Sequence, residues 1–322
     1  MSKLYIGVDL GGTNIRAGIV NEEGTILCKK SIKTNLPKPE AVLEKDIFEL
    51  CDSLCFENGY DLHSDIEAVG IGTPGSVDGI RGIVWSNVNF GYKNWKIVEN
   101  LKGLFGDDIK LYVENDANAA VIAEVAAGSA KGCNDALMIT LGTGVGGGAY
   151  LGGKIYAGYN YAGLEVGHMV IRVNGKPCNC GRKGCFERYA AATALIELTK
   201  EAMENNPDSA LWKICPDISR VNAKTAFDGW RESDPVATEV VNTYIKDLAR
   251  GVINLINIFQ PEILTIGGGV SNEKDTLIAL LKPYIDEEDY ARNARERTKI
   301  VIAKFRNDAG IIGAAMLGVN NA

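Results

Sequence analysis

The sequence predicts a mixed α/β fold built from two related halves. Each half opens with the same pattern, in which a strand of alternating apolar residues is followed by a Gly/Thr-rich turn and a second strand. These segments lie at 4–19 in the first half and at 136–151 in the second. Strand and helix patterns alternate after each hairpin, which is typical of α/β proteins. We therefore expect a duplicated architecture with one glycine-rich turn in each half.

The two hairpins are predicted from local alternation. Apolar residues at 4, 6 and 8 precede Gly11-Gly12-Thr13, and the alternation resumes at 15, 17 and 19. The second hairpin combines the strand Ala136–Leu141, the turn Gly142–Gly148 and the strand Ala149–Leu151.

The remaining elements follow from apolar periodicity and from capping residues. A long helix is expected from Asp234 to about Phe259, with Asp234 as its N-cap and Pro235 at its first position. The other predicted helices are Pro39–Phe56, Asn118–Ala127, Arg188–Asn205 and Ala309–Leu317. The predicted strands are Ala68–Ile71, Ile109–Val113, Ile263–Ile266 and Lys299–Ala303.

Composition limits the classes of function. A net charge of −7 over 322 residues argues against nucleic acid and against an anionic membrane as partners. The first residues do not read as a signal peptide, and the apolar stretches are shorter than a membrane span. Eight cysteines in a chain of this length suit free thiols and metal ligands in a reducing compartment. We expect a cytoplasmic protein.

One short segment carries three cysteines and one of the two histidines. His168 with Cys178, Cys180 and Cys185 suits a tetrahedral Zn²⁺ site of the Cys₃His type. The alternative is a surface loop with three reduced cysteines and ordinary glycine turns. The other cysteines, Cys28, Cys51, Cys55, Cys133 and Cys215, are expected to be small buried apolar residues, and His63 a solvated loop residue.

Three glycine-rich segments offer backbone N–H groups to an anion. In Asp9–Arg16, two glycines permit a tight turn, Thr13 adds a hydroxyl, Arg16 a cation and Asp9 a carboxylate for hydrated Mg²⁺. Gly142–Gly148 lacks the context of a dinucleotide-binding motif and fits a phosphate-binding hairpin better. Gly267–Gly269 suits a flat ring or a phosphate. For the first and third segments, an ordinary turn is the open alternative.

Asn115 and Asp116 stand where a predicted strand ends and an alanine-rich helix begins. A carboxylate there can cap the helix. It can also stay ionised beside the helix N-terminus and accept a proton from a substrate hydroxyl.

Taken together and in this order, the segments resemble the ROK family of sugar kinases, and within it the bacterial glucokinases. The resemblance spans nearly the whole chain. It is carried by Asp9–Arg16, Gly70–Gly75, Glu114–Asn118, Gly142–Gly148, Glu165–His168, Cys178–Glu187, Gly267–Gly269 and the terminal segment 307–313.

The resemblance implies the actin-like, ribonuclease-H-like duplicated fold of hexokinases, with two lobes that close over sugar and ATP. It implies a small α/β domain of residues 1–117 plus 306–322. Residues 118–305 would form a large α/β domain with the zinc-binding loop.

The resemblance also implies roles for individual residues. Asp116 would be the general base that takes the proton of the sugar 6-hydroxyl. The residues implied to bind the sugar are Gly72, Asn89, Asn115, Asp116, Glu165, His168 and Glu187. Those implied to bind ATP and Mg²⁺ are Asp9, Gly11, Gly12, Thr13, Arg16, Thr143, Gly144, Gly268 and Gly269. The zinc would be structural and would order the sugar pocket.

The expected function is ATP-dependent phosphorylation of a hexose, glucose to glucose 6-phosphate. Alternatives are another hexose (N-acetylmannosamine, allose or fructose), a polyphosphate donor, and a non-catalytic sugar-sensing regulator of the same family, which would carry an N-terminal helix-turn-helix. The expected partners are hexose and ATP, and the expected assembly is a homodimer or homotetramer. Family members commonly have Gly or Ala directly before the first glutamate, whereas this chain has Leu164, which is expected to offset Glu165.

Overall fold

The structure is a computed structural model that describes residues 3–87 and 89–320. The chain divides into two compact units. Unit 1 comprises Met1–Ala136, Gly148–Leu164 and Lys304–Ala322, and unit 2 comprises Leu137–Gly147 and Glu165–Ala303. The domain boundaries expected from the sequence stay a prediction, because compact units need not coincide with domains that fold independently.

The strands are short and are numbered in chain order. They are β1 (Leu4–Leu10), β2 (Asn14–Asn21), β3 (Ile26–Lys33), β4 (Ile66–Thr73), β5 (Ser76–Asp78), β6 (Ile83–Asn87), β7 (Tyr92–Trp95), β8 (Lys110–Asn115), β9 (Ala136–Leu141), β10 (Val145–Leu151), β11 (Lys154–Ile155), β12 (Ile263–Gly267) and β13 (Lys299–Ile302).

The helices vary from single turns to a helix of 25 residues. They are α1 (Glu40–Glu57), α2 (Ile97–Phe105), α3 (Asp116–Ala127), α4 (Glu187–Ala190), α5 (Ala192–Asn205), α6 (Leu211–Ile214), α7 (Ala223–Arg231), α8 (Pro235–Phe259), α9 (Asp275–Glu288) and α10 (Ala309–Asn320). Short 3₁₀ turns stand at Val166–His168, Ile218–Arg220, Gly269–Glu273 and Arg306–Asp308. Over the described residues, none of the helices combines the length and the apolar character that a membrane span requires.

The first five-stranded sheet has the order β3-β2-β1-β4-β8. Its first two strands form the predicted antiparallel hairpin, with Leu10 opposite Ile15, while β1, β4 and β8 run parallel. Buried side chains from β1, β4 and α1 form one apolar cluster, which includes Ile6, Val69 and Leu43. The alternating apolar residues of the sequence therefore mark core-facing positions.

The second five-stranded sheet has the order β11-β10-β9-β12-β13. Counted along the chain, both sheets place their strands in the order third, second, first, fourth, fifth. The predicted duplication is thus confirmed at the level of strand order. The three-stranded sheet β5-β6-β7 has no counterpart in the prediction, because its strands are too short to show a clear alternation.

Helix α10 lies directly on the first sheet. A methyl group built on Gly7 of β1 would lie 1.8 Å from the carbonyl oxygen of Ile311, and one built on Gly70 of β4 would lie 1.8 Å from that of Ala314. Only glycine lets backbone approach backbone so closely. The last helix is therefore held by contacts with β1 and β4 of unit 1.

The long helix α8 begins as predicted. Asp234 is its N-cap, with the side chain accepting a hydrogen bond from the N–H of Ala237 at 2.7 Å, and Pro235 is the first helical residue. The predicted helix Arg188–Asn205 is wrong as a single element. It breaks at Ala191, which is extended, because the N–H of Ala192 donates to the carbonyl oxygen of Gly142 at 2.9 Å.

The glycine turn of the second hairpin is also shorter than predicted. Only residues 142–144 form the turn, and β10 already begins at Val145. Gly148 lies within this strand, where a methyl group would lie 2.9 Å from the carbonyl oxygen of Ala117. Close packing, rather than a turn, accounts for this glycine.

Outside the metal cluster, the cysteines and the second histidine divide between core and surface. Cys51 and Cys55 are buried on α1, as predicted. Cys28, Cys133 and Cys215 are less buried than predicted, because each is only partly buried. His63 lies exposed in a turn, as predicted, and its Nδ1 is 2.8 Å from a carboxylate oxygen of Asp108.

Candidate functional site

In unit 1, the carboxyl ends of three parallel strands lie side by side. Asp9 of β1 is level with Gly72 of β4, and Gly72 is level with Glu114 of β8. The next pair along is Thr73 and Asn115. Strand register thus brings together predicted residues from three distant segments at one edge. Ligands of open α/β sheets bind at this edge.

Asn115 and Asp116 form the start of α3. The side-chain oxygen of Asn115 accepts hydrogen bonds from the N–H groups of Ala117 at 2.9 Å and Asn118 at 3.2 Å, so Asn115 is the N-cap. Its amide donates to the carbonyl oxygen of Gly75 at 3.0 Å. Asp116 is the half-buried first residue of the helix. A helix N-terminus favours the ionised form of a carboxyl at that position.

Glu114 was not predicted as a site residue. Its carboxylate accepts hydrogen bonds from the N–H of Asn115 at 2.8 Å and from the amide of Asn118 at 3.0 Å. Burial raises the pKa of Glu114, while these two hydrogen bonds oppose the rise. The sequence offered one signal, a charged residue directly after the apolar positions Leu111 and Val113 of the strand. Its burial depends on contacts that a single sequence does not show.

Asp9 and Arg16 face each other across the first hairpin and form an ion pair. The guanidinium of Arg16 also donates to the carbonyl oxygen of Asn307 at 2.7 Å. Burial raises the pKa of Asp9, and the charge of Arg16 opposes the rise. A methyl group on Gly310 would lie 2.7 Å from the Asp9 carboxyl carbon, so this glycine lets the first turn of α10 approach it. The predicted contact of Arg16 with ATP stays a prediction.

The turn after β1 is fixed by two hydrogen bonds. The N–H of Gly11 donates to the carbonyl oxygen of Asn14 at 3.0 Å, and the hydroxyl of Thr34 donates to that of Gly11 at 2.7 Å. Gly12 and Thr13 are exposed at the edge of the unit. This arrangement suits an anion-binding turn.

Asn89 is exposed and is placed by a buried neighbour that was not predicted. The amide of Asn87 donates to the carbonyl oxygen of Pro74 at 2.7 Å, and its oxygen accepts from the N–H of Asn89 at 3.0 Å. Pro74 follows Thr73, the residue level with Asn115. Asn87 therefore ties the Asn89 turn to the end of β4.

In unit 2, the four predicted zinc ligands converge. One ligand atom from each of His168, Cys178, Cys180 and Cys185 lies within 4.8 Å of all the others. The Sγ atoms of Cys180 and Cys185 are 3.6 Å apart, and Cys178 Sγ is 3.7 Å from His168 Nδ1. Ligand atoms on a tetrahedral Zn²⁺ with 2.3 Å bonds are about 3.8 Å apart. The spacing fits zinc.

The local backbone explains why these side chains converge. Cys178 accepts at its carbonyl from the N–H of Gly181 at 3.0 Å and donates its own N–H to Arg182 at 2.8 Å. Gly181 and Gly184 adopt left-handed conformations, with φ of 85° and 81°. A methyl on Gly184 would lie 1.7 Å from the carbonyl oxygen of Arg172, so this turn requires glycine. The two left-handed glycines therefore allow the tight turns that bring the cysteines together.

The thiols differ in their electrostatic surroundings. Burial raises the pKa of Cys178 to about 12 and raises that of Cys185. The N–H of Arg182 lowers the pKa of Cys180. A Zn²⁺ ion bound here would supply the positive charge that holds buried cysteines as thiolates.

Glu187 begins α4 directly after the cluster. One of its oxygens lies 3.0 Å from Cys178 Sγ and 3.6 Å from His168 Nδ1. The other lies 2.8 Å from the position that a methyl group on Gly144 would take. A pocket of about 310 Å³ opens beside it, lined by Thr143, Gly144, Asn179, Glu187, Arg188, Thr193 and Glu197.

Glu165 is exposed and precedes the 3₁₀ turn Val166–His168. The residue before it, Leu164, is in the left-handed region with φ of 63°, where glycine is favoured. Gly167 packs so closely that a methyl there would lie 2.2 Å from the carbonyl oxygen of Val145. The turn that carries His168 is therefore fixed against the start of β10.

Gly268 and Gly269 follow β12 and are both exposed. Gly268 has φ of 83°, and a methyl on it would lie 2.5 Å from the backbone of Leu141. The glycine is thus required by the close approach of two strand ends. Its predicted contact with adenosine stays a prediction.

The family model described as "ROK family" matches residues 5–320. A glucokinase of Thermotoga maritima is 36% identical over 98% of this chain and 98% of its own length. The chain belongs to the ROK family. A ROK glucokinase of Streptomyces griseus, solved in complex with glucose and AMPPNP, superposes with a TM-score of 0.80 and 31% identity, covering 98% of this chain and 99% of that one.

This ROK protein therefore has the actin-like sugar-kinase fold that the resemblance implied. A ROK family transcriptional regulator, a homologue of the E. coli MLC protein, superposes with a TM-score of 0.86 over 99% of this chain and 78% of that one. Its identity is only 23%, so this likeness shows the fold alone. The fold does not by itself distinguish a kinase from a regulator.

Proposed function

We propose that this ROK protein transfers the γ-phosphoryl group of ATP to the 6-hydroxyl of a hexose, and that the hexose is glucose. The relatives named glucokinase, at 33–36% identity over 97–98% of this chain, support the assignment. The observation that carries it is the placement of Asp116. It is a carboxylate at the first residue of α3, beside an Asn115 that already caps the helix.

Asp116 acts as the general base. A sugar hydroxyl that attacks phosphorus must lose its proton, and a carboxylate that is held near the hydroxyl can accept it. Asn115 is the N-cap of α3, and Oδ1 of Asp116 also accepts from the N–H of Ala117 at 2.9 Å, so Asp116 lies beside the cap and not in its place. General base catalysis contributes about 10²–10⁴-fold to the rate.

Asp9, Gly11, Gly12 and Thr13 hold the phosphates of ATP with Mg²⁺ in unit 1. The ion neutralises charge on the transferred group when it is bound. Arg16 pairs with Asp9, which keeps this half-buried carboxyl ionised and able to bind a hydrated cation. In unit 2, Thr143, Gly144, Gly268 and Gly269 take part in binding the nucleotide.

The zinc is structural. His168, Cys178, Cys180 and Cys185 would fill all four positions of a tetrahedral ion, so it would keep no open site for a reacting water. Nδ1 of His168 faces the cluster, which directs the other ring nitrogen away from it and toward the sugar. Glu187, together with Glu165, His168, Asn89 and Asn115, hydrogen-bonds the sugar hydroxyls, and the Gly72 turn shapes the pocket.

A coupled ADP-release assay tests the proposal. The wild-type chain is assayed with ATP and a panel of glucose, N-acetylmannosamine, allose and fructose, and polyphosphate replaces ATP in a parallel series. We expect glucose with ATP to give the highest kcat/KM. A higher kcat/KM for another hexose would identify that hexose as the substrate instead of glucose. Hexose binding without turnover would support a regulator.

The matched variant is Asp116→Asn, which keeps the shape of the side chain. We expect kcat to fall about 10²–10⁴-fold, with hexose binding still measurable by calorimetry. A near-normal kcat would overturn the role of Asp116.

A further inference from the structure

One face of α8 contacts the segment that carries the zinc ligands and Glu187. Tyr244, Asp247 and Gly251 stand at positions i, i+3 and i+7, which places them on the same side of the helix. Tyr244 and Asp247 are only 1% and 3% exposed. All three residues lie outside the set of metal ligands.

Each of the three makes a specific contact. The hydroxyl of Tyr244 donates to the carbonyl oxygen of Ala190 at 2.7 Å. The carboxylate of Asp247 accepts from the guanidinium of Arg172 at 2.5 and 2.6 Å. Gly251 leaves a notch for a ring, because a methyl there would lie 2.1 Å from Phe186 Cε2.

The contacts at Phe186 and Ala190 lie on the two sides of Glu187 in the sequence. The fully buried Phe186 lies directly between the ligand Cys185 and Glu187. Ala190 ends the four-residue helix that Glu187 begins. A helix this short is not stable alone, so its position depends on what holds its ends. Both ends are held by α8, through Gly251 and Tyr244.

The third contact holds the other side of the same segment. Arg172 lies in sequence between His168 and Cys178, and its guanidinium lies 4.7 Å from the centre of the Tyr189 ring. Tyr189 accepts at its hydroxyl from the N–H of Lys176 at 2.6 Å. Asp247 therefore connects α8 to the loop between two zinc ligands and, through Arg172, to α4.

We propose that Tyr244, Asp247 and Gly251 are positioning residues for hexose binding, which set the location of the Glu187 carboxylate separately from the zinc. Zinc holds the ligand side chains together, whereas α8 holds Phe186, Ala190 and Arg172. Glu187 thus has two supports, and loss of one leaves the other in place. The inference rests on the proposed function, because it takes Glu187 as a sugar ligand.

Two variants of different severity test it. Tyr244→Phe removes one hydroxyl and leaves the ring. Gly251→Ala forces the Phe186 ring to move. The matched control is Thr199→Val on α5, which also removes a buried hydroxyl that donates to a carbonyl, that of Leu195 at 2.7 Å. For each protein we measure zinc per chain, hexose KM and Kd, ATP KM and Tm.

For Tyr244→Phe we expect the hexose KM to rise about three- to tenfold, the effect of one hydrogen bond. For Gly251→Ala we expect about 10- to 100-fold, because displacements near 1 Å can cost about 10²-fold. ATP KM should stay within about twofold, and both variants should keep one zinc per chain. Thr199→Val should lower Tm and leave both KM values unchanged.

The proposal is overturned if both α8 variants keep the wild-type hexose KM and only their Tm is lower. The role of α8 would then be purely structural. Loss of zinc from Tyr244→Phe would overturn the separate action of the two supports. If the wild type binds hexose but does not phosphorylate it, the proposed function fails, and the same comparison of hexose Kd by calorimetry still decides the positioning role.

Discussion

Gly144 controls the position of Glu187, and its replacement by alanine should weaken hexose binding. A methyl there would lie 2.8 Å from one carboxylate oxygen of Glu187. Ordinary contacts begin near 3.4 Å, so the oxygen must move by about 0.6 Å. The displaced atom is the end of a flexible side chain, and we therefore expect the free energy of unfolding to change by less than about 0.5 kcal/mol.

The magnitude follows from the hydrogen bond that is disturbed. A hydrogen bond to a charged group contributes about 1.5–3 kcal/mol. If the displacement removes half of this, the loss of about 0.8–1.5 kcal/mol raises the hexose KM about three- to twelvefold. Zinc content should not change, because the ligand atoms do not contact Gly144.

The matched control is Gly142→Ala in the same turn, where the described chain has no heavy atom within 4 Å of the added methyl. Steady-state kinetics with hexose and ATP varied in turn would separate the effects. Because Gly144 is also proposed to take part in nucleotide binding, ATP KM can rise as well, but the hexose KM must rise with it. A rise in ATP KM alone would refute the reasoning, since the methyl would then obstruct the nucleotide without moving Glu187.

A double-mutant cycle decides the cause. In a Glu187→Ala background, Gly144→Ala should have no further effect on hexose KM, because the side chain that it displaces is gone. Additive effects of the two substitutions would mean that the methyl acts elsewhere.

Three further predictions concern the metal, a partly buried carboxyl and the packing of α10. Cys180→Ser should lose zinc, measured by metal analysis, and should raise hexose KM far more than ATP KM; an unchanged hexose KM in the zinc-free protein would contradict the ordering role of the metal. Burial raises the pKa of Glu114, so its contribution to stability is complete below its ordinary pKa of 4.5 and is lost as pH rises through the higher folded value. Glu114→Gln should therefore raise Tm by about 1–3 °C at pH 7–8 but not at pH 4, and an equal change at both pH values would contradict this assignment. Gly70→Ala places a methyl 1.8 Å from the Ala314 carbonyl oxygen and should destabilise the fold by more than about 3 kcal/mol, whereas Gly103→Ala, for which nothing in the described ranges lies within 4 Å, should stabilise it by about 0.5–1 kcal/mol. Denaturant unfolding of both variants measures whether each substitution lowers or raises the free energy of unfolding.

The sequence predicted the elements whose signals are local. The first hairpin shows its alternation within one strand length, and Asp234 with Pro235 marks a helix start within two residues. Strand order then brings Asp9, Gly72 and Asn115 to one edge, a result that duplication and parallel pairing make accessible from sequence. The four candidate zinc ligands were accessible because their spacing along the chain is short.

The predictions that failed depended on contacts between distant segments. Helical periodicity continues through Ala191, but the N–H of the next residue bonds to Gly142 instead of the helix. Glu114 lies next to the predicted Asn115, yet only its partly buried location distinguishes it from a solvated strand end. At Ala191 a partner that is remote in sequence overrides the local pattern, whereas at Glu114 the sequence does not show how far the strand end is removed from solvent.

Two glycines within helices show what a sequence alone can and cannot predict. A glycine inside a helix costs about 1 kcal/mol relative to alanine, so its presence suggests a compensating contact. Gly251 of α8 has one, since a methyl there would overlap the ring of Phe186. Gly103 of α2 carries the same cost, although a methyl there would reach open space as far as the chain is described. The local cost is identical at the two positions, so the sequence can flag both but cannot tell that Gly251 supports Glu187. That distinction requires the knowledge that the Phe186 ring packs against Gly251.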